Sequence, residues 1–190
     1  HGHGTHVAGI IAMTPGNGGG VGVAYGAKIM CVRAGQANGS FASTDIAKAI
    51  KYAADNGADV INMSFGGTGR SYLVESALQD AFPSCVLVAA AGNDGLPTTD
   101  AKQAGYLFTE DIYPAGYKYV IGVMATDNNK SLAYFSNWDF KEGSGCEYEM
   151  AAPGVGIYST LPGNRYACWS GTSMATPNVA AAAAILRSKY

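Results

Sequence analysis

The 190 residues are short of charge, of proline and of closely spaced cysteine, and each shortage removes a class of protein. Lysine and arginine number 12 against 14 acidic residues, a formal net charge of −2. With no basic field to hold a phosphate backbone, composition argues against a nucleic-acid binder. No apolar run approaches the roughly 18 residues of a membrane span, and the longest, residues 179–186, is mostly Ala. Proline occurs only seven times and 48% of the chain is apolar, which argues against disorder. The four cysteines form no CxxC pair of the zinc-binding kind. Cys31 and Cys85 lie in apolar runs and read as small buried hydrophobes. Cys146 and Cys168 lie in polar surroundings, and spacing leaves a bridge between them open. The first residue is His1, and no signal peptide or pro-segment is in view, so the chain reads as processed or as a piece of a longer one.

Glycine is abundant: 26 residues, about twice the usual share, with no Gly-X-Y period. Together with many alanines, this predicts a tightly packed domain with close backbone approaches. Apolar runs at residues 28–32, 60–64, 86–91 and 120–123 read as strands. Between them lie helical patterns: Ile46, Ala49, Ile50 and Ala53, with Thr44 as N-cap and Gly57 as stop, and then Leu73, Val74, Ala77 and Leu78, with Ser71 as cap. Residues 173–189 read as a long Ala-rich helix. Continuously apolar strands separated by helices predict an α/β fold of three layers, a mostly parallel sheet with helices on both faces. No repeat or linker divides residues 1–190, so one domain is expected. In such sheets, sites form beyond the C-terminal strand ends. Two of those ends carry Ser64-Phe65-Gly66-Gly67 and Gly92-Asn93-Asp94-Gly95.

Three segments could carry chemistry. The first is His1-Gly2-His3-Gly4-Thr5-His6, whose three histidines suggest a metal site. With no acidic residue or Cys nearby, the metal reading is disfavoured against a glycine-rich entry into a helix. The second is Ser170-Gly171-Thr172-Ser173-Met174-Ala175-Thr176-Pro177. A serine at a helix start is usually a cap. Here small neighbours admit another chain, the helix N-terminus favours developing negative charge, and Pro177 lacks the N–H that would serve the Ser173 carbonyl. The third is Asn93, at the end of a buried strand: either a turn residue or an amide donor aimed into a cleft. Together they supply a base, a nucleophile and an oxyanion donor.

The segments HGTHVAG from His3, AAGN from Ala90 and GTSMATP from Gly171, in that order and spacing, resemble the subtilisin-like serine proteases, the subtilases. GVAYGAKI from Gly22, DVINMSFGG from Asp59 and APGVGIYSTLPGN from Ala152 agree, so the resemblance runs over nearly the whole chain. It implies a serine endopeptidase acting through an acyl-enzyme. His3 is its general base, Ser173 its nucleophile, and Asn93 donates to the oxyanion together with the Ser173 N–H. His6 falls at a structural position. Ser64, Phe65 and Gly66, and Ala90, Ala91 and Gly92, resemble the two segments that line the substrate cleft, where an extended peptide would add as a strand. Phe65 would wall an apolar subsite or else serve as a core aromatic, and Tyr113-Pro114 matches a position where the family often has a cis proline. No cofactor is required for the chemistry. The resemblance also implies polypeptide substrates, a pro-segment in the parent protein and secretion to the cell exterior or surface.

The family triad also needs an Asp, in a strand upstream of the histidine motif. None of the acidic residues present sits in a matching motif; Asp45, Asp55 and Asp59 fall at helix and strand-entry positions. The expectation is therefore a catalytic domain truncated at both ends. Asn178 stands where the family motif usually continues with His. The loop at residues 14–20 aligns with a calcium-binding stretch of many relatives but offers only Asn17, Thr14 and carbonyls. A strong site is not expected in this chain, although the parent protein could hold structural calcium elsewhere. Residues 94–113 look longer than in compact relatives and are expected to shape specificity. Two other readings compete: a non-catalytic peptide-binding protein on the same fold, and the disfavoured metal-binding module.

Overall fold

The computed structural model describes residues 2–36, 39–140 and 148–190. Four α-helices, six strands and a short 3-10 helix (Thr99–Ala104) are assigned there: α1 (His3–Ala12), α2 (Ser43–Asp55), β1 (Val60–Met63), α3 (Tyr72–Ala81), β2 (Val86–Ala90), β3 (Ile121–Thr126), β4 (Met150–Pro153), β5 (Ile157–Leu161), β6 (Arg165–Trp169) and α4 (Thr172–Lys189). Strands β1 to β4 pair side by side in chain order, all parallel. Strands β5 and β6 form a separate antiparallel hairpin leading into α4.

The period of two along β2 builds the layers. Leu87, Ala89 and Ala91 point to one face, where they meet Ile50 and Ala53 of α2, Val74 and Leu78 of α3, and Met63. Val88 points to the other, among Val123, Ala125 and Ala152 and beneath Ala175, Val179 and Ala180 of α4. A parallel sheet covered on both faces follows from the continuous apolar runs, as the sequence predicts. Helix α1 lies outside this sandwich, against α4 and β5, with Val7 and Ile10 packed on Met174. Its approach to β5 is close enough that a Cβ on Gly9 would meet the backbone nitrogen of Thr160 at 3.1 Å, and this accounts for a glycine within a helix.

The structure corrects several expectations. Residues 28–32 form no strand. Ile29, Met30 and Val32 are about two-fifths exposed, at 40%, 41% and 38%. An apolar run becomes a strand only where a neighbour accepts its ladder, and among the described residues no strand lies along the outer edge of β1. For the same reason Cys31 is exposed, not buried. Cys85 is buried, its Sγ donating to the Ala58 carbonyl at 2.9 Å. Helix α2 begins at Ser43 after an extended Ala42, so Thr44 is inside it and not its cap. Ser71 does stand at the N-cap of α3, without a capping side-chain bond, and Gly57 follows α2 at φ 80°. Strand β3 starts one residue later than expected and runs three further. Strand β4 and the β5–β6 hairpin were not foreseen. The pairing of Cys146 with Cys168 lies outside the described residues; Cys168 itself is an exposed thiol on β6.

Candidate active site

Ser64 follows the last residue of β1 and Asn93 comes three residues after β2, so adjacent parallel strands deliver both to one end of the sheet. The N-terminus of α4 meets them there. Pro177 lies inside α4 and has no N–H for the Ser173 carbonyl. That carbonyl instead accepts a hydrogen bond from the Ser64 hydroxyl at 2.9 Å. In return, the Ser173 hydroxyl donates to the Ser64 carbonyl at 3.1 Å. Asn62 holds the Ser64 hydroxyl from behind, its Nδ2 donating at 2.9 Å. The helix irregularity read from Pro177 is thus what ties the serine to the sheet.

The Asn93 amide is oriented by its neighbours. Its Oδ1 accepts from the Thr172 backbone N–H at 2.8 Å and from the Thr172 hydroxyl at 3.0 Å. An oxygen engaged by an N–H fixes which end of the amide is which. The Nδ2 end therefore remains as the donor of an exposed side chain at the sheet end. Thr172 is itself fully buried, and its carbonyl accepts from the Thr176 hydroxyl at 2.7 Å. The sequence assigns no role to Thr172 or Asn62, the two residues that hold Asn93 and Ser64. The signal available was that both are polar residues inside otherwise apolar or small-residue runs.

His3 is the first residue of α1. It is partly buried, and burial, followed by the nearby His6, lowers its pKa below the ordinary value. Both effects disfavour imidazolium, so neutral imidazole prevails at neutral pH. His6 is fully buried, with its ring stacked on Trp169 at 4.6 Å and its Nε2 at 3.0 Å from the Ala167 carbonyl. These contacts fit the structural position expected of it and leave that nitrogen committed. His1 lies outside the described residues.

The two cleft segments differ. Ser64 is buried and Gly66 exposed. Phe65 is half-buried against the core and stacks on Phe41 at 4.6 Å. Ala90 and Ala91 are buried, and the Ala91 N–H is used by Val123 at 3.1 Å. Gly92 receives a bond from the Asn137 N–H and gives one to the Thr172 hydroxyl. Residues 90–92 thus form a wall bonded within the protein, whereas Gly66 is exposed. The Tyr113–Pro114 bond is cis. Beyond the wall, burial first and the Asp94 carboxylate second raise the pKa of Glu110.

The acidic residues considered for a triad have other partners: Asp55 pairs with Lys51 at 3.1 Å and Asp59 with Arg187 at 3.7 Å, both exposed, while Asp45 sits in the first turn of α2. The loop at residues 14–20 does not fit calcium. Asn17 Oδ1 already accepts from the Gly19 and Gly20 N–H groups at 2.7 and 3.1 Å, and the loop brings no carboxylate.

A parallel sheet with helices packed on both faces, and a serine at a helix start beyond its strand ends, define a three-layer α/β protein. The model of the Subtilase family (Peptidase S8) matches residues 1–190, and the chain belongs to that family. It is 43% identical over 191 residues to Subtilisin DY of Bacillus licheniformis, covering all of this chain and 65% of that protein. It is 47% identical over 189 residues to the Thermophilic serine proteinase of Bacillus sp. (strain AK1), covering 98% of this chain and 43% of that one. Among solved structures, Sphericase superposes with a TM-score of 0.86 at 32% identity, over all of this chain and 64% of its own. The chain thus spans between two-fifths and two-thirds of these relatives.

Two outcomes are expected from this geometry. Ser64→Ala strands the partly buried Ser173 carbonyl and should cost about 1–3 kcal/mol in urea denaturation. In a Pro177→Ala background, where a backbone N–H can serve Ser173, the cost should shrink; an equal cost in both backgrounds contradicts the role given to Ser64. The His3 ring, followed by NMR in this chain, should titrate below about 6.5. The unfolded chain then binds the proton more readily, so this group's contribution to stability is complete above about 6.5 and declines as pH falls toward the folded pKa. A midpoint at or above 6.5 contradicts the burial of His3.

Proposed function

We propose that the chain is the His- and Ser-bearing part of a serine endopeptidase that hydrolyses peptide bonds through an acyl-enzyme. The observation that carries this reading is the hydrogen-bonded constellation of Ser64, Ser173, Thr172 and Asn93 at the C-terminal end of the parallel sheet. Neutral His3 is the base that takes the Ser173 proton as Oγ attacks a peptide carbonyl, and it returns that proton to the leaving amine. The negative charge developing on the carbonyl oxygen is met by Asn93 Nδ2 and by the Ser173 N–H, one of the first-turn donors that a helix leaves without an internal acceptor. A non-catalytic peptide-binding protein on the same fold would need neither a neutral imidazole at His3 nor an ordered Ser173 and Asn93. Membership of the subtilase family favours the enzyme. Secretion and a pro-segment belong to this reading on the family resemblance alone. Among the described residues no helix is long and apolar enough to cross a membrane.

The carboxylate that orients His3 is, in this proposal, supplied by a strand outside these 190 residues. It would pair with the open edge of β1 and cover the exposed apolar side chains of residues 28–32.

In the full-length protein, a serine-directed phosphonate should label Ser173 and fail on Ser173→Ala; labelling elsewhere overturns the assignment. Asn93→Ala should leave KM nearly unchanged and lower kcat about 10²–10³-fold, the loss found for such a donor in a subtilisin. An effect on KM alone removes Asn93 from the oxyanion site. Residues 1–190 alone should turn over little substrate. Co-expressed with the preceding native segment, they should fold better whether its candidate Asp is intact or changed to Ala, but hydrolyse peptides substantially only when it is intact. Full activity of the isolated chain would place the orienting carboxylate within it.

A further inference from the structure

Ile112 is the last residue of the long segment between Asn93 and the cis Tyr113–Pro114 bond. Its backbone N–H donates to the Tyr148 hydroxyl at 3.0 Å, and the residue is only 4% exposed. The side chain stands between the two cleft segments. A Cβ placed on Gly66 would overlap Ile112 Cγ2, and one placed on Gly92 would lie 2.8 Å from Ile112 Cγ1. The Cβ position of Gly66 is also only 3.6 Å from the Ala90 carbonyl oxygen across the cleft. Both glycine surfaces that face each other here are thus covered by one branched aliphatic side chain.

We infer that Ile112 closes the slot between residues 64–66 and 90–92, and that the site therefore selects peptides with a small side chain on the residue whose carbonyl is attacked. The inference rests on the endopeptidase reading. A carbonyl held between Ser173 Oγ and Asn93 Nδ2 carries its α-substituent toward the segments that lead into these two groups. Ser64 is bonded to Ser173 and Gly92 precedes Asn93, so that substituent enters between them. An alanine methyl fits above Ile112. An aromatic ring would need the volume that Ile112 fills, and a core side chain held on both sides by backbone does not move aside cheaply. Phe65, stacked on Phe41 next to Gly66, belongs to the surroundings of this slot and not to its floor.

The test uses the full-length protein and three peptide amides differing only in the residue before the scissile bond: Ala, Phe or Arg. The wild type should favour Ala over Phe in kcat/KM by about tenfold or more, the scale on which pockets discriminate apolar groups. Ile112→Gly should reverse that order, and Ile112→Val should leave it nearly unchanged. Ratios taken on one preparation do not depend on its folded fraction. Equal rates on Ala and Phe in the wild type, an order untouched by Ile112→Gly, or a lead for Arg through Asp94 and Glu110 would each overturn the inference. Failure of phosphonate labelling would instead overturn the endopeptidase reading. In that case the slot is read by equilibrium binding of product peptides ending in Ala or Phe to Ser173→Ala: tighter binding of Ala sustains the inference, and equal affinities refute it.

Discussion

The reciprocal pair of hydrogen bonds between Ser64 and Ser173 joins the end of β1 to the start of α4. Without Pro177, the Ser173 carbonyl would be satisfied inside its own helix and would need nothing from the sheet. With Pro177, that carbonyl must find an outside donor or remain unpaired in a partly buried place, a loss of about 1–3 kcal/mol. The proline converts a helix-internal bond into a tertiary one. The second tie, from Asn93 to Thr172, joins the next strand to the same helix turn. Two adjacent strands and one helix are thereby fixed around the space that the proposed reaction assigns to the attacked carbonyl.

Such rigidity suits electrostatic stabilisation, in which donors are worth most when they are already aimed at the developing charge. Asn93 illustrates this: both of its Oδ1 contacts come from one buried residue, so its amide plane turns with α4 and not with solvent. His3 approaches from a different layer. Helix α1 packs on α4 through Val7, Ile10 and Met174, and His3, its first residue, is partly buried with its charge disfavoured. The neutral imidazole so favoured has a free lone pair, which is the state that the proposed role of His3 as a base requires.

The open side of the structure is where the sequence is most misleading. Residues 28–32 have the composition of a buried strand but form none and stay partly exposed, because strand formation depends on a neighbour and not on the run itself. The hairpin of β5 and β6 was obscured for the opposite reason. Its residues, such as Ser159 and Thr160, are polar and bond to the carbonyls of His6 and Thr5 in α1, so no apolar alternation announces them. Thr172 and Asn62 escaped notice because their importance lies in what they hold.

What the sequence determined by itself was the layered α/β fold and the motif positions of His3, Asn93 and Ser173. Apolar runs, caps and short motifs are local, and local patterns suffice to set strand, helix and order along the chain. Tertiary structure decided the rest. It chose Ser64 as the partner of the Ser173 carbonyl, turned the Asn93 amide by way of Thr172, and set Ile112 between Gly66 and Gly92. Each of these depends on segments 20 to 109 residues apart meeting at one sheet end, and no spacing along the chain encodes which side chain will fill the gap between two backbones.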